Sequence, residues 1–487
     1  MYIKHITFDI AGIWMSSEVV GDAGINHLGY YTCMWGRGGT SIATHGYTGA
    51  LHIWDRCGEG VDESLLPRTS GSGHMSEVVD SSWARDGSFL LTVSSDQTAR
   101  VFTSCKSEQT TQEIWCEIAR PQIHGHDFSC VSVLKSHDGM YRYTSGSEEK
   151  VLRVFESPVA FLDTLLVAKG HDIEMHQSGK ALGAKLPALG LSNKAIVEDS
   201  HDGQEKPDGS GMGPEGYDDG ADLAPTSAPS VVTCPPLEEH LSQNTLWPET
   251  NKLYGHGNDL FCVASDPKGR FLASASRAQS ASTAGIIIWD TTSWTQICTL
   301  DGHSLTVTCL EFSPCGEFLA SVGRDRKLCV FKTHSTGFSR ICTIKAHSRV
   351  LWSVAWSPDS NYIFTCSRDS TIKCWHVQGN GNVEDTPAAS VTCSSSPRTL
   401  ASIASANSAL LAAGSDDGKI EIFDVKSEQG GNAVSIDPVL AVPVWLQHAG
   451  AVRSILWKPS QGSHDTMTLS SVGDDYSVKI WTIHDIN

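Results

Sequence analysis

The chain has 487 residues, with 36 Lys and Arg against 55 Asp and Glu, a formal charge of −19, and 40% hydrophobic residues. That apolar content is enough for a large core and excludes a disordered chain or a disulfide-held mini-protein. The acidic balance argues against bulk electrostatic capture of a nucleic-acid backbone.

Met1–His5 lacks the apolar run of a secretory signal, and no stretch approaches the ~18 apolar residues of a membrane span, so no membrane partner is expected. The 15 Cys are odd in number and never spaced Cys-x-x-Cys, and many adjoin apolar residues. They read as reduced buried thiols of a cytoplasmic and nuclear protein, with no metal site.

In chain order one unit recurs. It consists of Gly-His, an alternating apolar segment, a turn, a second apolar segment, a polar turn with Asp, and a β-branched run closing on Trp or Phe. Eight closing aromatics follow one another: Trp54, Phe102, Phe155, Trp289, Phe331, Trp375, Phe423 and Trp481. The copy ending at Trp54 has Thr48 where Asp is expected. The next runs from His74 through Asp96 to Phe102, and the third starts at Gly125-His126 but offers Glu149. The copy closing on Trp289 starts at Gly255-His256 and carries an insertion at Ser276–Ala284. Two clear copies follow, His303 with Asp325 and His347 with Asp369. The copy closing on Phe423 keeps Asp417 but lacks the His, and the last pairs His448 with Asp475. In three copies the His-to-Asp offset is 22 residues, from 74 to 96, 303 to 325 and 347 to 369.

Each copy reads as short strands in period-two alternation, punctuated by Gly, Asp, Asn or Ser. A lone four-stranded sheet cannot bury both faces, so copies must stack, and a period of about 40–45 residues is that of a β-propeller blade. The fold expected is therefore all-β, a WD-repeat β-propeller. A His–Asp pair repeated around a ring cannot be one active site. His74–Asp96, His303–Asp325, His347–Asp369 and His448–Asp475 are read as internal struts, and His126 as the strut of its own blade.

About a hundred residues between Phe155 and Gly255 lack the pattern. Within them Glu198–Asp222 holds nine acidic residues and one Lys, a local charge of −8, and a disordered acidic insertion is expected at about 196–230. Its Gly209–Gly213 run has no strand before it or helix after it, so a linker is favoured over a phosphate loop. Because Asn487 follows Trp481 by six residues, the last blade stops after its third strand. Its outer strand is expected from Ile13–Val20 or Val61–Pro67.

Several strings are more specific than the repeat. They are Gly49–Trp54, Arg120-Pro121-Gln122-Ile123-His124-Gly125, Glu149–Phe155, Pro187–Ala195, Asn244–Glu249, Lys252–Gly257 and His303–Thr308. Together they resemble the second subunit of the Elongator complex, in its C-terminal half. The resemblance implies tandem propellers, so residues 1–58 are expected to be a remnant blade of a preceding propeller and 59–487 a seven-bladed ring. A single eight-bladed ring is the alternative. It further implies a non-catalytic scaffold that supports tRNA wobble-uridine C5 modification, with a linked role in transcription elongation. The partners implied are the largest and catalytic subunits, and tRNA through the assembled complex. The chain lacks the Cys-x3-Cys-x2-Cys run of a radical iron–sulfur enzyme, an acetyl-CoA motif and a Gly-x-Ser-x-Gly elbow, so neither a cofactor nor a small-molecule substrate is expected. A free-standing acidic propeller that binds basic peptides such as histone tails is the alternative function.

Partner-binding candidates are Arg324, Arg326, Arg349 and Arg368, which fall on adjacent blades beside the turn Asp residues. Arg120, Lys150 and Arg153, in the family-specific strings, join them. Guanidinium groups suit bidentate contacts to carboxylate or phosphate. The competing reading is that these Arg brace the neighbouring turn Asp residues. Trp247 is read as packing the end of the insertion onto the ring.

Overall fold

The computed structural model describes residues 3–8, 14–20, 30–46, 50–57, 64–71, 73–106, 113–123, 125–135, 138–172, 180–185, 193–197, 236–334, 337–405, 408–427, 434–459 and 466–484. The acidic stretch 198–222 and its Gly209–Gly213 run lie outside the described residues.

Seven antiparallel sheets begin in turn on the strands Val78–Trp83, Phe128–Val133, Leu260–Ser265, Val307–Phe312, Leu351–Trp356, Pro397–Ala404 and Val452–Trp457. Each of these strands lies against the next, and Val452–Trp457 lies against Val78–Trp83, so the inner strands form a circle. This is the all-β propeller expected, and we number its blades from the one that begins at Val78. The second strands Leu90–Ser94, Phe318–Gly323 and Tyr362–Ser367 are buried along their whole length. Neighbouring blades cover both their faces, so apolar residues run continuously instead of alternating. Indole N–H groups stitch adjacent blades: Trp356 Nε1 donates to the Glu311 carbonyl at 3.0 Å and Trp457 Nε1 to that of Ala401 at 3.1 Å. The circle closes in the same way, Trp83 Nε1 donating to Ser470 Oγ at 2.9 Å.

A further four-stranded sheet, Tyr30–Trp35, Ser41–Gly46, Leu51–Cys57 and Ser64–Arg68, precedes the circle, and its third strand packs on the helix Glu238–Gln243. The insertion contributes more structure than its composition suggests. Helix Val159–Lys169 starts after Pro158 and ends at Gly170, whose φ of 76° closes the last turn in the left-handed region. The helix buries Phe161, Leu165 and Ala168 against the first blade. Residues Glu249–Tyr254 then return as the fourth strand of the second blade, paired with Val151–Glu156.

Two expectations are corrected here. Neither proposed closing strand pairs with the last blade: Trp14–Val20 pairs with Ile3–Phe8, and Ser64–Arg68 with Leu51–Cys57. The seventh blade has three strands among the described residues. Nor are all the thiols reduced. Cys105 and Cys116 form a disulfide, because the pairing of Thr98–Lys106 with Glu113–Ile123 brings the two residues diagonally across the strands.

Candidate partner-binding face

The propeller's connections set where its side chains emerge. His74 Nδ1 lies 2.9 Å from Asp96, His303 Nδ1 3.0 Å from Asp325, His347 Nδ1 3.2 Å from Asp369, and His448 Nδ1 2.8 Å from Asp475. The opposite ring nitrogen of each reaches a buried hydroxyl on the second strand: Thr92 at 2.8 Å, Ser321 at 2.8 Å, Thr365 at 2.9 Å and Ser471 at 2.7 Å. In two blades the closing Trp joins the chain, Trp375 and Trp481 each donating to that hydroxyl at 2.8 Å. Sequence reasoning missed this Ser/Thr, although in four copies it stands 18 residues after the His, at 92, 274, 321 and 365. Burial alone would raise the Asp369 carboxyl, but the Thr371 hydroxyl, the His347 ring and the Ser348 amide bring it down to about 2. Asp475 is likewise held at about 2, against burial, by His448, Ser477 and the Ala449 amide.

His126 departs from the expectation. It is exposed, and the hydroxyl of the second strand, Ser145 Oγ, donates instead to Gln122 Oε1 at 2.8 Å. Gln122 is buried in the fourth strand of the first blade and occupies the acceptor position that histidines hold elsewhere. In the third blade, which lacks a turn Asp, the one hydrogen-bond partner of the His256 ring among the described residues is Ser274 at 2.8 Å, and burial lowers its pKa to about 4.

These struts fix the turns that carry the arginines. The residue after the turn Asp has a positive φ in five blades: Gln97 (66°), Arg326 (68°), Ser370 (62°), Gly418 (89°) and Tyr476 (65°). Arg324 and Arg368 precede their turn Asp residues, Arg326 follows Asp325, and Arg349 lies two residues after His347. All four are exposed, and none has a carboxylate partner among the described residues. The Arg324 guanidinium sits 5.9 Å from the Phe261 ring centroid. Elsewhere on the rim arginines are neutralised: Arg277 meets Glu148 at 2.8 Å, Arg398 meets Asp416 at 3.1 Å, and Arg453 pairs with Asp474. The fourth and fifth blades therefore keep a cluster of unneutralised guanidinium groups on an acidic molecule. The turn Asp carboxylates beside them are occupied by histidine.

The other three cations differ. Arg120 is buried between Glu117 (2.6 Å) and Glu238, which removes it from the surface, and its expected role as a partner contact is corrected. The Arg100–Glu117 bond at 3.1 Å extends the same buried network. Arg153 is half-buried against Glu149 at 2.6 Å and Glu249 at 3.1 Å, whereas Lys150 is exposed. Trp247 is buried, its ring centroid 4.7 Å from Phe161 and 5.3 Å from Tyr143, so it packs the end of the insertion onto the ring.

The ring of sheets and the repeated His–Asp–hydroxyl chain define a WD-repeat protein, and the family described as "WD domain, G-beta repeat" matches residues 66–103, 247–290, 294–332 and 338–376. Within that class the chain belongs with the proteins named Elongator complex protein 2. It is 37% identical to that of Arabidopsis thaliana over 492 residues, covering 96% of this chain and 58% of that protein. Identity to the Dictyostelium discoideum protein is 32% over 530 residues, covering 97% of this chain and 58% of that protein. Identity to the human protein is 39% over 287 residues, covering 58% of this chain and 34% of that protein. The chain thus spans a little over half the length of the Arabidopsis and Dictyostelium proteins.

Proposed function

We propose that this chain is a non-catalytic scaffold subunit of an Elongator complex, acting in the cytoplasm and nucleus in support of tRNA wobble-uridine C5 modification, with a linked role in transcription elongation. In this reading it bridges the largest and catalytic subunits, and residues 1–58 are the last blade of a preceding propeller. The observation that carries the reading is the cluster Arg324, Arg326, Arg349 and Arg368. These are four exposed cations without carboxylate partners among the described residues, displayed on turns that the His–Asp struts hold in place. A scaffold needs a rigid face with unspent charge, and guanidinium groups suit an acidic segment of a partner subunit.

Co-purification of the affinity-tagged chain with its co-expressed complex is the test. Wild type is expected to bring down the large and catalytic subunits in stoichiometric amounts. Arg324→Glu with Arg368→Glu is expected to reduce them about tenfold or more, with thermal stability unchanged because neither side chain is buried. Undiminished assembly in the double variant would assign these residues to another task.

A further inference from the structure

The circle of inner strands encloses a lumen. Ser82, Ala264 and Glu311, all on those strands, are partly exposed, so solvent reaches between them. Toward the axis these strands have no further strand to pair with, and side chains of the preceding blade take their inward amides instead. Ser353 Oγ accepts from the Leu400 amide at 3.3 Å, Thr399 Oγ1 from that of Ile455 at 3.2 Å, and Ser82 Oγ from that of Val133 at 2.9 Å. A hydroxyl is therefore enough for this task. Yet in the fourth blade, at the fifth strand position that Ser82 holds in the first, stands Glu311, whose carboxyl accepts from the Trp356 amide. A carboxyl brings a second oxygen that the amide does not need.

Arg85 reaches the same level from the first blade. Four other blades place Pro at its position, Pro267, Pro314, Pro358 and Pro459. Arg85 instead extends past the second blade, and its Nη2 donates to both the carbonyl and the hydroxyl of Ser265, on the third blade, at 2.9 Å. The Asp266 amide bonds the Phe271 carbonyl of the second strand, so the Ser265 carbonyl points the other way, toward the axis. Ser265 and Trp356 both end their inner strands, which sets the guanidinium and the Glu311 carboxyl at one depth of the lumen. Arg85 is exposed, Ser265 is its one hydrogen-bond partner among the described residues, and two carboxyl groups face it. Asp266 is neutralised by Arg270 at 2.8 Å. Glu311 is pushed by burial up to about 8, with the Trp356 amide and Arg85 opposing, so at neutral pH it carries a proton and can donate. The Cys309 thiol, which also faces Glu311, is pushed up to about 11 by burial and stays uncharged. Asp80, facing that thiol from the first blade, accepts from the Ser81 and Val131 amides.

We propose that Arg85 and Glu311 form an anion site inside the lumen, which takes a tetrahedral oxyanion of the phosphate class. Guanidinium groups suit phosphate, and Arg85 keeps the N–H groups of Nε and Nη1 unspent. The protonated Glu311 carboxyl adds an O–H donor to another oxygen of the anion, where an ionised carboxylate would repel it. Four oxygens can meet both groups and still accept from water, whereas a carboxylate has only two. Ser82 and Ala264 are small, so the lumen keeps room beside the two charged residues. The site lies away from the arginine face: the Arg324 amide bonds the Thr306 carbonyl just before Val307–Phe312 begins, and Glu311 stands near the end of that strand. It does not depend on the scaffold reading.

Calorimetric titration of the purified chain with sulfate at constant ionic strength is the test, because the charge of this tetrahedral anion does not follow pH near neutrality. A single sulfate is expected to bind. Arg85→Gln should weaken it about tenfold or more, and Arg85→Lys by less, because the charge remains. Binding to wild type should fall as pH rises through about 8, as Glu311 loses its proton. Glu311→Gln, which keeps a donor, should bind alike at about pH 7 and about pH 9, a profile that a merely structural Glu311 would not alter. Glycerol phosphate separates the sources: binding as tight as that of sulfate marks a phosphate carried on a small molecule, and weaker binding marks the free ion. Binding that persists in Arg85→Gln, or that disappears in Arg324→Glu with Arg368→Glu, would place the anion elsewhere and overturn the assignment. Several weak sites that ignore every substitution, or no binding to wild type, would overturn it as well.

Discussion

At the scale of single residues, the struts work because a buried hydroxyl, an imidazole and a carboxylate satisfy one another away from water, where an orphaned polar group is costly. Gln122 shows that the position matters more than the residue type. Gln122→Ala should leave Ser145 Oγ buried without its acceptor and cost about 1–3 kcal/mol in chemical denaturation. His126→Ala, at an exposed position, should change stability by less than about 0.5 kcal/mol. The turn carboxylates make a pH statement as well. Asp369 and Asp475 have folded-state values of about 2, below the ordinary carboxylate value of 3.8. Their contribution is fully present above about pH 4 and is lost as pH falls through about 2. Asp369→Asn should therefore flatten the fall in stability across that window, measured by acid titration of the unfolding midpoint. The regular struts could be read from the sequence because His and Asp recur at one spacing. Gln122 could not, because it reaches its blade from the preceding fourth strand, four residues ahead of a decoy histidine.

At the scale of elements, the repeat revealed strands wherever a β-branched run met a turn signal, and it was silent where tertiary contacts decide. Helix Val159–Lys169 is apolar and lacks a side-chain cap, so no local start signal marks it; it is held by Phe89, Tyr141 and Trp247. The arginines of the family-specific strings looked alike in sequence, yet burial divides them. Arg120 serves the ion network that anchors helix Glu238–Gln243 to the first blade, while Lys150 faces solvent. Arg120→Ala should leave Glu238 as an uncompensated buried charge and Glu117 with Arg100 alone, at a cost of about 3–5 kcal/mol. Limited proteolysis should then cleave near Leu241, which is buried in the intact protein. Replacing Arg120 and Glu238 together by Met should restore much of the resistance, because no isolated charge remains there except Glu117, which Arg100 still pairs.

Considered whole, the ring is held by apolar faces between blades, and its inner strands bring ionisable groups close to the axis. Burial pushes the Glu311 carboxyl up to about 8, with the Trp356 backbone amide and Arg85 opposing. Its folded-state value lies above the unfolded one, so its own contribution to stability is greatest below about pH 4.5 and declines as pH rises toward about 8. Glu311→Gln should match wild type near pH 5 and melt a few degrees higher at pH 9, as followed by calorimetry. The circle itself has a cost in time. The indole of Trp83 meets Ser470 across 387 residues of sequence, so the first blade waits for the last. At a synthesis rate of about 5–20 residues per second, roughly 20 to 75 s separate the two on the ribosome. Throughout that interval the flank of the first blade that carries Trp83 lacks its cover from the seventh blade and is open to aggregation.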